Sequence, residues 1–300
     1  MQETRRNQSG SMSLTRPGRV LAIGVGVLVL AVGCDRVDTG VRVQPRISSS
    51  RGTPPTRPVY RRPPVSLPPP AYTIHLGRSV NGTPLTLHVF GSGVEHVLVF
   101  GGIHGSEPTS AALAAALIDH LRTHPQATAG RTVAVLARAN PDGLAAGRRT
   151  NAHGVDLNRN FPARNWRPGP SHGPFAGSEP ETQALIRAVK MIHPSRIVSI
   201  HSIARGRHCD NYDGPAREIA LRMARHNGYP VRDTMGYPTP GSFGSWAGRD
   251  MGLPVITLEL PRDLDAAQCW RENAGALLAF IGSPGDIAGI GVDRIDTTAK

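Results

Sequence analysis

Cysteine is scarce in this chain: there are three in 300 residues, while aromatic residues make up 5% and charged residues only 19%. So few cysteines exclude a small disulfide scaffold, and none has the spacing of a zinc knuckle. No G-X-Y period runs through the 34 Gly and 27 Pro, which excludes collagen and leaves local low-complexity segments as the expectation. Beyond residue 71 there is no long Lys/Arg run. The sequence pI of about 10.8 reports mainly on residues 1–71, where 11 Arg stand against Glu3, Asp35 and Asp38 and supply +8 of the net +12. The other 229 residues carry only +4, and no nucleic-acid partner is expected. What is present is 39% hydrophobic residues, ordinary for a globular core.

The N-terminal segment reads as an address and a tether. Arg5, Arg6, Arg16 and Arg19 precede an apolar run from Val20 to Val32, which at about 13 residues is too short to span a bilayer comfortably and suits a signal-peptide core. The run ends Leu30-Ala31-Val32-Gly33-Cys34 and resembles a bacterial lipoprotein signal, with Cys34 the lipidated residue and Ala31 a weaker match than Leu. An ordinary secretory signal is the competing reading, and Met1 and Met12 are both candidate starts. Residues 34–71, rich in Pro and Arg, lack apolar periodicity. As polyproline II they would reach roughly 100 Å at about 3.1 Å per residue. The expected organisation is a signal peptide at 1–33, a tether at 34–71, a catalytic domain at 72–282 and a tail at 283–300. This implies export to the cell envelope or periplasm and a membrane partner through a lipid anchor. Of the remaining cysteines, Cys209 and Cys269 could pair across about 60 residues or be two separate buried thiols.

From Tyr72 the texture alternates. TIHL and LTLHVF flank a turn at Asn81-Gly82, and HVLVF runs into a Gly-rich corner. Helical spacing in SAALAAALIDHLRT, strand TVAVLA, a polar loop from Asn140 to Ser178, helix PETQALIRAVKMI and strand RIVSIHS follow. Helix AREIALRMARHN, a Gly/Pro-rich stretch, strand PVITLEL and a helix from about Asp265 to Ile281 complete the order. The expected fold is α/β: one domain with a mixed, mostly parallel sheet flanked by helices on both faces.

Chemistry in such sheets gathers where strands end. His104 and Glu107, three apart in GGIHGSE, can converge on one cation, although His-x-x-Glu alone is a weak pattern and fits a surface His beside a helix-start Glu. His201, in SIHS, brings a second imidazole to the same edge. Two His and one carboxylate leave a coordination position of zinc open, as catalysis needs, while His208 and Cys209 lie close enough to offer a fourth, structural ligand. Glu259 ends a buried strand and suits proton transfer. Residues 148–162 add a polar loop with guanidiniums suited to a carboxylate or an oxyanion.

The ordered set GGIHGSE, NPDG, RTNAHGVDLNRNFP, SIHS and TLELP resembles the zinc metallocarboxypeptidases of the carboxypeptidase A type, over residues 95 to 280. The short domain and GYPTPGSFGSWAG look closest to their murein peptide amidase branch. That resemblance implies one Zn2+ per chain held by His104, Glu107 and His201, with Glu259 as general acid/base acting on zinc-activated water. It implies Arg149 as the carbonyl-polarising arginine, with Arg148 a rival, and Asn158 and Arg159 as the grip on the substrate's terminal carboxylate. Asp156 would orient the first zinc histidine, and Tyr237 would be the mobile substrate tyrosine. The implied substrate is a peptide cleaved at a C-terminal amide, in that branch the γ-D-glutamyl-diaminopimelate bond of murein. No propeptide of family size is expected ahead of the domain. Phe243 falls near the specificity-pocket position and offers no acidic group, which argues against Lys- or Arg-terminal substrates. Arg205, Arg207, Asp210 and Asp213 are candidates to receive the amino-carboxyl head of diaminopimelate. A general metallocarboxypeptidase, a zinc-dependent N-acyl amino acid deacylase and an inactive wall-binding module are the alternatives. Oligomeric state is not legible.

Overall fold

The structure, a computed structural model, describes residues 71–282. The expected signal segment with Cys34, the expected tether up to residue 70 and the tail 283–300 lie outside the described residues. Among the described residues no helix is long and apolar enough to cross a membrane.

Strands β1 (Ala71–Arg78) and β2 (Pro84–Phe90) pair antiparallel around the Asn81-Gly82 turn. Then come β3 (His96–Phe100), α1 (Pro108–Thr123), β4 (Thr132–Leu136), α2 (Pro141–Ala146), α3 (Pro180–Ile192) and β5 (Arg196–Ile203). The chain continues with β6 (Cys209–Asp213), α4 (Arg217–Asn227), the short β7 (Val231–Arg232), β8 (Val255–Pro261) and α5 (Ala266–Ile281). All eight strands form one sheet in the order β1-β2-β4-β3-β5-β8-β6-β7. The central four, β4, β3, β5 and β8, run parallel, and β2 and β6 flank them antiparallel.

Period-two alternation divides each central strand between two cores. Val97 and Val99, Val198 and Ile200, and Ile256 and Leu258 join Leu113 and Leu117 of α1, Met223 of α4 and Leu277 of α5 on one face. Leu98 and Phe100, Ile197 and Val255 pack with Leu185 and Val189 of α3 on the other face. Because both faces are covered, the strands are continuously apolar, as the sequence predicts. Toward the C-terminal ends of β5 and β8 that continuity breaks, where Ser199, His201, Thr257 and Glu259 replace apolar residues on the α3 face.

Of these elements, α2, β6 and the two-residue β7 were not expected. The polar loop from Asn140 holds α2, whose start is signalled by an N-cap and a following proline: Asn140 accepts from the Gly143 N–H at 2.9 Å, and Pro141 opens the helix. Strand β6 was missed because Asp210, Asn211 and Asp213 obscure its alternation; it forms nevertheless, since β8 supplies a complete ladder of partners.

The Cys209–Cys269 pairing is not formed, and both residues are buried free thiols. Cys209 lies beside Glu259 in the ladder and shares its face of the sheet, while Cys269 belongs to α5 and the opposite core. The sheet stands between them, so no disulfide geometry is within reach.

Candidate metal centre and substrate pocket

Residues 101–107 leave the C-terminal end of β3 and lead into α1, which places His104 and Glu107 above the sheet. This loop is held from beneath. Ala139 N–H donates to Gly101 O at 3.0 Å and Asn140 N–H to Gly102 O at 2.8 Å, while Gly105 lies so close to α2 that a Cβ there would stand 1.9 Å from the Gly143 carbonyl carbon. Asp142 of the same helix accepts from Ser79 Oγ and the Asn81 N–H, tying the first hairpin to this platform.

His201 comes from the end of β5. Nδ1 of His104 lies 3.0 Å from Glu107 Oε1 and 3.2 Å from Nδ1 of His201, and His201 Nδ1 lies 3.3 Å from Glu107 Oε2. All three residues are buried. The outer nitrogens are occupied: Nε2 of His104 lies 3.0 Å from Asp156 Oδ1, and Nε2 of His201 lies 2.9 Å from Ser199 Oγ. Asp156 can accept a hydrogen bond from His104 Nε2 and Ser199 one from His201 Nε2; in those tautomers both Nδ1 lone pairs face the Glu107 carboxylate, a set of three ligand atoms able to hold one cation. A tetrahedral site with metal–nitrogen bonds of about 2.0 Å has neighbouring ligands roughly 3.3 Å apart, which is the spacing found. The donor set fits zinc.

The electrostatics agree. Burial alone would lower the pKa of His104, but the Glu107 and Asp156 carboxylates outweigh it and raise it. Burial would likewise raise Glu107, yet His104 and His201 hold its carboxyl far below the usual range. The cluster is built around a positive charge.

Glu259 sits next to His201 in the β5–β8 register. It is 7% exposed and makes no side-chain hydrogen bond among the described residues. Burial pushes its pKa up, with His201 opposing and Glu107 adding to the rise. Arg149 donates Nε to Asp156 Oδ2 at 2.9 Å and Nη1 to Glu107 Oε1 at 3.2 Å, which leaves Nη2 for a ligand. Arg148 does not line the pocket. A 3-10 turn at Leu157–Arg159 presents Asn158 and Arg159. The Asn158 carbonyl accepts from the Phe243 N–H at 2.9 Å, so its amide nitrogen remains available. The loop behind them is fastened internally, Asn151 donating to both Glu179 and Glu181.

These groups share a cleft of about 930 Å³. It contains His104, Glu107, His201, Glu259, Arg149, Asn158, Arg159 and Tyr237, which the sequence singles out as far apart as residues 104 and 259. Tyr237 is 43% exposed at the rim, with the Arg207 guanidinium 5.9 Å from its ring centroid.

Other expectations need correction. Phe243 is not in the pocket: it is 1% exposed and packs edge-on against Phe100 and Phe161. A carboxylate is present after all, because Asp213 lines the cleft and pairs with Arg249 at 2.6 Å. Asp210 points to the opposite face, where Asn227 of α4 donates to it at 3.3 Å. Arg205 is exposed and paired with Asp263. His208 and Cys209 do not join the metal cluster. Sequence reasoning missed Ser199, Asn211 and Arg249; only the register with β8 signals the place of Asn211, and nothing local signals Arg249.

The zinc carboxypeptidase family profile matches residues 68–209. The chain is 36% identical over 217 residues to murein peptide amidase A of Escherichia coli (strain K12), covering 64% of this chain and 82% of that protein. The chain belongs to the zinc carboxypeptidase family. It is therefore a hydrolase. Murein peptide amidase A of Vibrio campbellii is 35% identical over 205 residues, covering 62% of this chain and 77% of that protein. Among solved structures, the murein-tripeptide amidase of Escherichia coli O157 superposes with a TM-score of 0.56 at 32% identity, covering 74% of this chain and 98% of that one. Bovine thrombin-activatable fibrinolysis inhibitor, at 18% identity and a TM-score of 0.60, covering 73% of this chain and 89% of that one, shares the fold.

Proposed function

We propose that this protein is an exported amidase that hydrolyses the C-terminal amide bond of murein peptides, between γ-D-glutamate and diaminopimelate, with one zinc ion held by His104, Glu107 and His201. The observation that carries the reading is the convergence of two imidazoles and a carboxylate able to hold one metal ion, beside Glu259, in a cleft lined with charged groups. Bound zinc supplies Lewis acidity toward a carbonyl oxygen and lowers the pKa of water.

The chain's own residues do the rest. Arg159 and the Asn158 amide hold the terminal carboxylate, and Tyr237 closes over the bound peptide from the rim. Arg149 presents Nη2 to the scissile carbonyl oxygen as negative charge develops there. Glu259 takes the proton of the attacking water and delivers it to the departing amine, for which a raised pKa suits it. Asp156 fixes the tautomer and orientation of His104. The relatives' activity on murein peptides supports the substrate, and the segment 1–71 supports export with a lipid anchor on Cys34.

The test is turnover by the zinc-loaded full chain of L-Ala-γ-D-Glu-meso-diaminopimelate beside a peptide ending in phenylalanine, followed by mass spectrometry. Release of diaminopimelate, lost by about 10²- to 10⁴-fold in Glu259→Gln, is expected. Release of phenylalanine alone would make the enzyme a general carboxypeptidase, and release from neither would favour a deacylase.

A further inference from the structure

We infer that Asp213, Asn211 and Arg249 form the subsite for the side chain of the departing residue, and that it selects a side chain ending in an adjacent ammonium and carboxylate. The inference rests on the reading of the cleft as a C-terminal amide hydrolase.

Depth comes from the ladder. β6 runs antiparallel to β8 with Cys209 opposite Glu259, Asn211 opposite Thr257 and Asp213 opposite Val255. Alternate residues face the cleft, so Asn211 and Asp213 lie roughly 7 and 13 Å along the strand from the level of Glu259. Only a long side chain reaches that far. The opposite wall is the π-type turn Gly244–Asp250, pressed against β6 so closely that a Cβ on Gly248 would stand 2.4 Å from the Asp213 Cβ. Arg249 follows immediately and donates Nε to Asp213 Oδ1 at 2.6 Å.

The hydrogen bonding of this group is left half finished. Asp213 is 9% exposed; its Oδ1 accepts from Arg249, and its Oδ2 has no donor among the described residues. The two terminal nitrogens of Arg249, whose side chain is 54% exposed, have no acceptor among the described residues. Asn211 is 4% exposed, lines the cleft, and its Oδ1 is buried without a partner. The buried Asn211 oxygen is costly unless a ligand completes it, while Asp213 and Arg249 keep one oxygen and two nitrogens open to the same ligand. Two acceptor oxygens suit an ammonium, and a guanidinium edge suits a carboxylate. A bare ammonium, as in lysine, would meet Asp213 but also the charge of Arg249. An apolar side chain would leave all three groups unpaired. The zwitterionic head of diaminopimelate completes them together.

The test compares kcat/KM of the zinc-loaded full chain on L-Ala-γ-D-Glu-X, with X meso-diaminopimelate, L-lysine or L-norleucine. Wild type should favour diaminopimelate over both by about a hundredfold or more. Arg249→Gln should lower the diaminopimelate value about tenfold or more while raising that for lysine, and Asp213→Asn should lower both. Norleucine should stay unmoved. Arg249 has an exposed side chain, so its variant carries the test if Asp213→Asn unfolds. A uniform loss on all three substrates, or equal cleavage of all three by wild type, would overturn the subsite and leave the amidase reading intact. Cleavage of none of them, with an ordinary C-terminal residue still released, would instead sink the murein reading and this ligand with it.

Discussion

Asp156 holds His104 by one oxygen and Arg149 by the other: Oδ1 lies 3.0 Å from His104 Nε2, and Oδ2 accepts from Arg149 Nε at 2.9 Å. One buried carboxylate thus aligns the imidazole of the metal centre and the guanidinium beside it. Its partners, His104 above all, hold its pKa well below the usual carboxylate range despite burial.

Asp156→Ala should therefore loosen zinc without removing a ligand. A drop in affinity of about 10- to 100-fold is expected, measured by competition with a chromophoric chelator. Affinity unchanged from wild type would show that the His104 ring is oriented by its own packing.

Gly105→Ala tests the platform beneath the ligands. The new methyl group would meet Gly143 backbone, which cannot rotate away, so the loop or α2 must shift. A loss of about 1–3 kcal/mol is expected in urea unfolding, together with weaker zinc retention. Full stability with full zinc content would show that the two backbones separate freely.

Asp210 supplies a pH dependence on the face of the sheet opposite the cleft. Burial pushes its pKa up to about 7, against a single hydrogen bond from Asn227, and Oδ2 has no partner. Because the folded value exceeds the unfolded one, folding favours the protonated form. Stability from this group is complete below the unfolded pKa near 4, declines as pH rises, and has been lost above about 7. Asp210→Asn should stabilise the protein at pH 8 by about 2–4 kcal/mol, and the gain should shrink toward pH 5. Thermal unfolding across that range decides it, since a gain independent of pH would exclude titration as the cause.

The central strands and long helices were legible because burial on both faces writes an apolar run, and helix spacing writes its own period. His201 and Glu259 were legible for the opposite reason, since each interrupts such a strand pattern where an idle polar group is expensive, whereas His104 and Glu107 lie in the Gly-rich loop before α1 and were singled out by the motifs shared with the family. Strand β6 was not, because Asn211 and Asp213 face a cleft that does not exist until β8 lies beside it and Asp210 is polar on the other face as well.

The sequence by itself determined the sheet's buried strands, the residue types of the metal centre and their order along the chain. Tertiary structure alone decided which arginine reaches the centre, which cysteines stay apart, and that Asp213 and Arg249 meet in the cleft. The physical reason is separation: Asp213 and Arg249 are 36 residues apart, and no local periodicity encodes contacts that arise only when antiparallel register and a glycine-packed turn bring two backbones together.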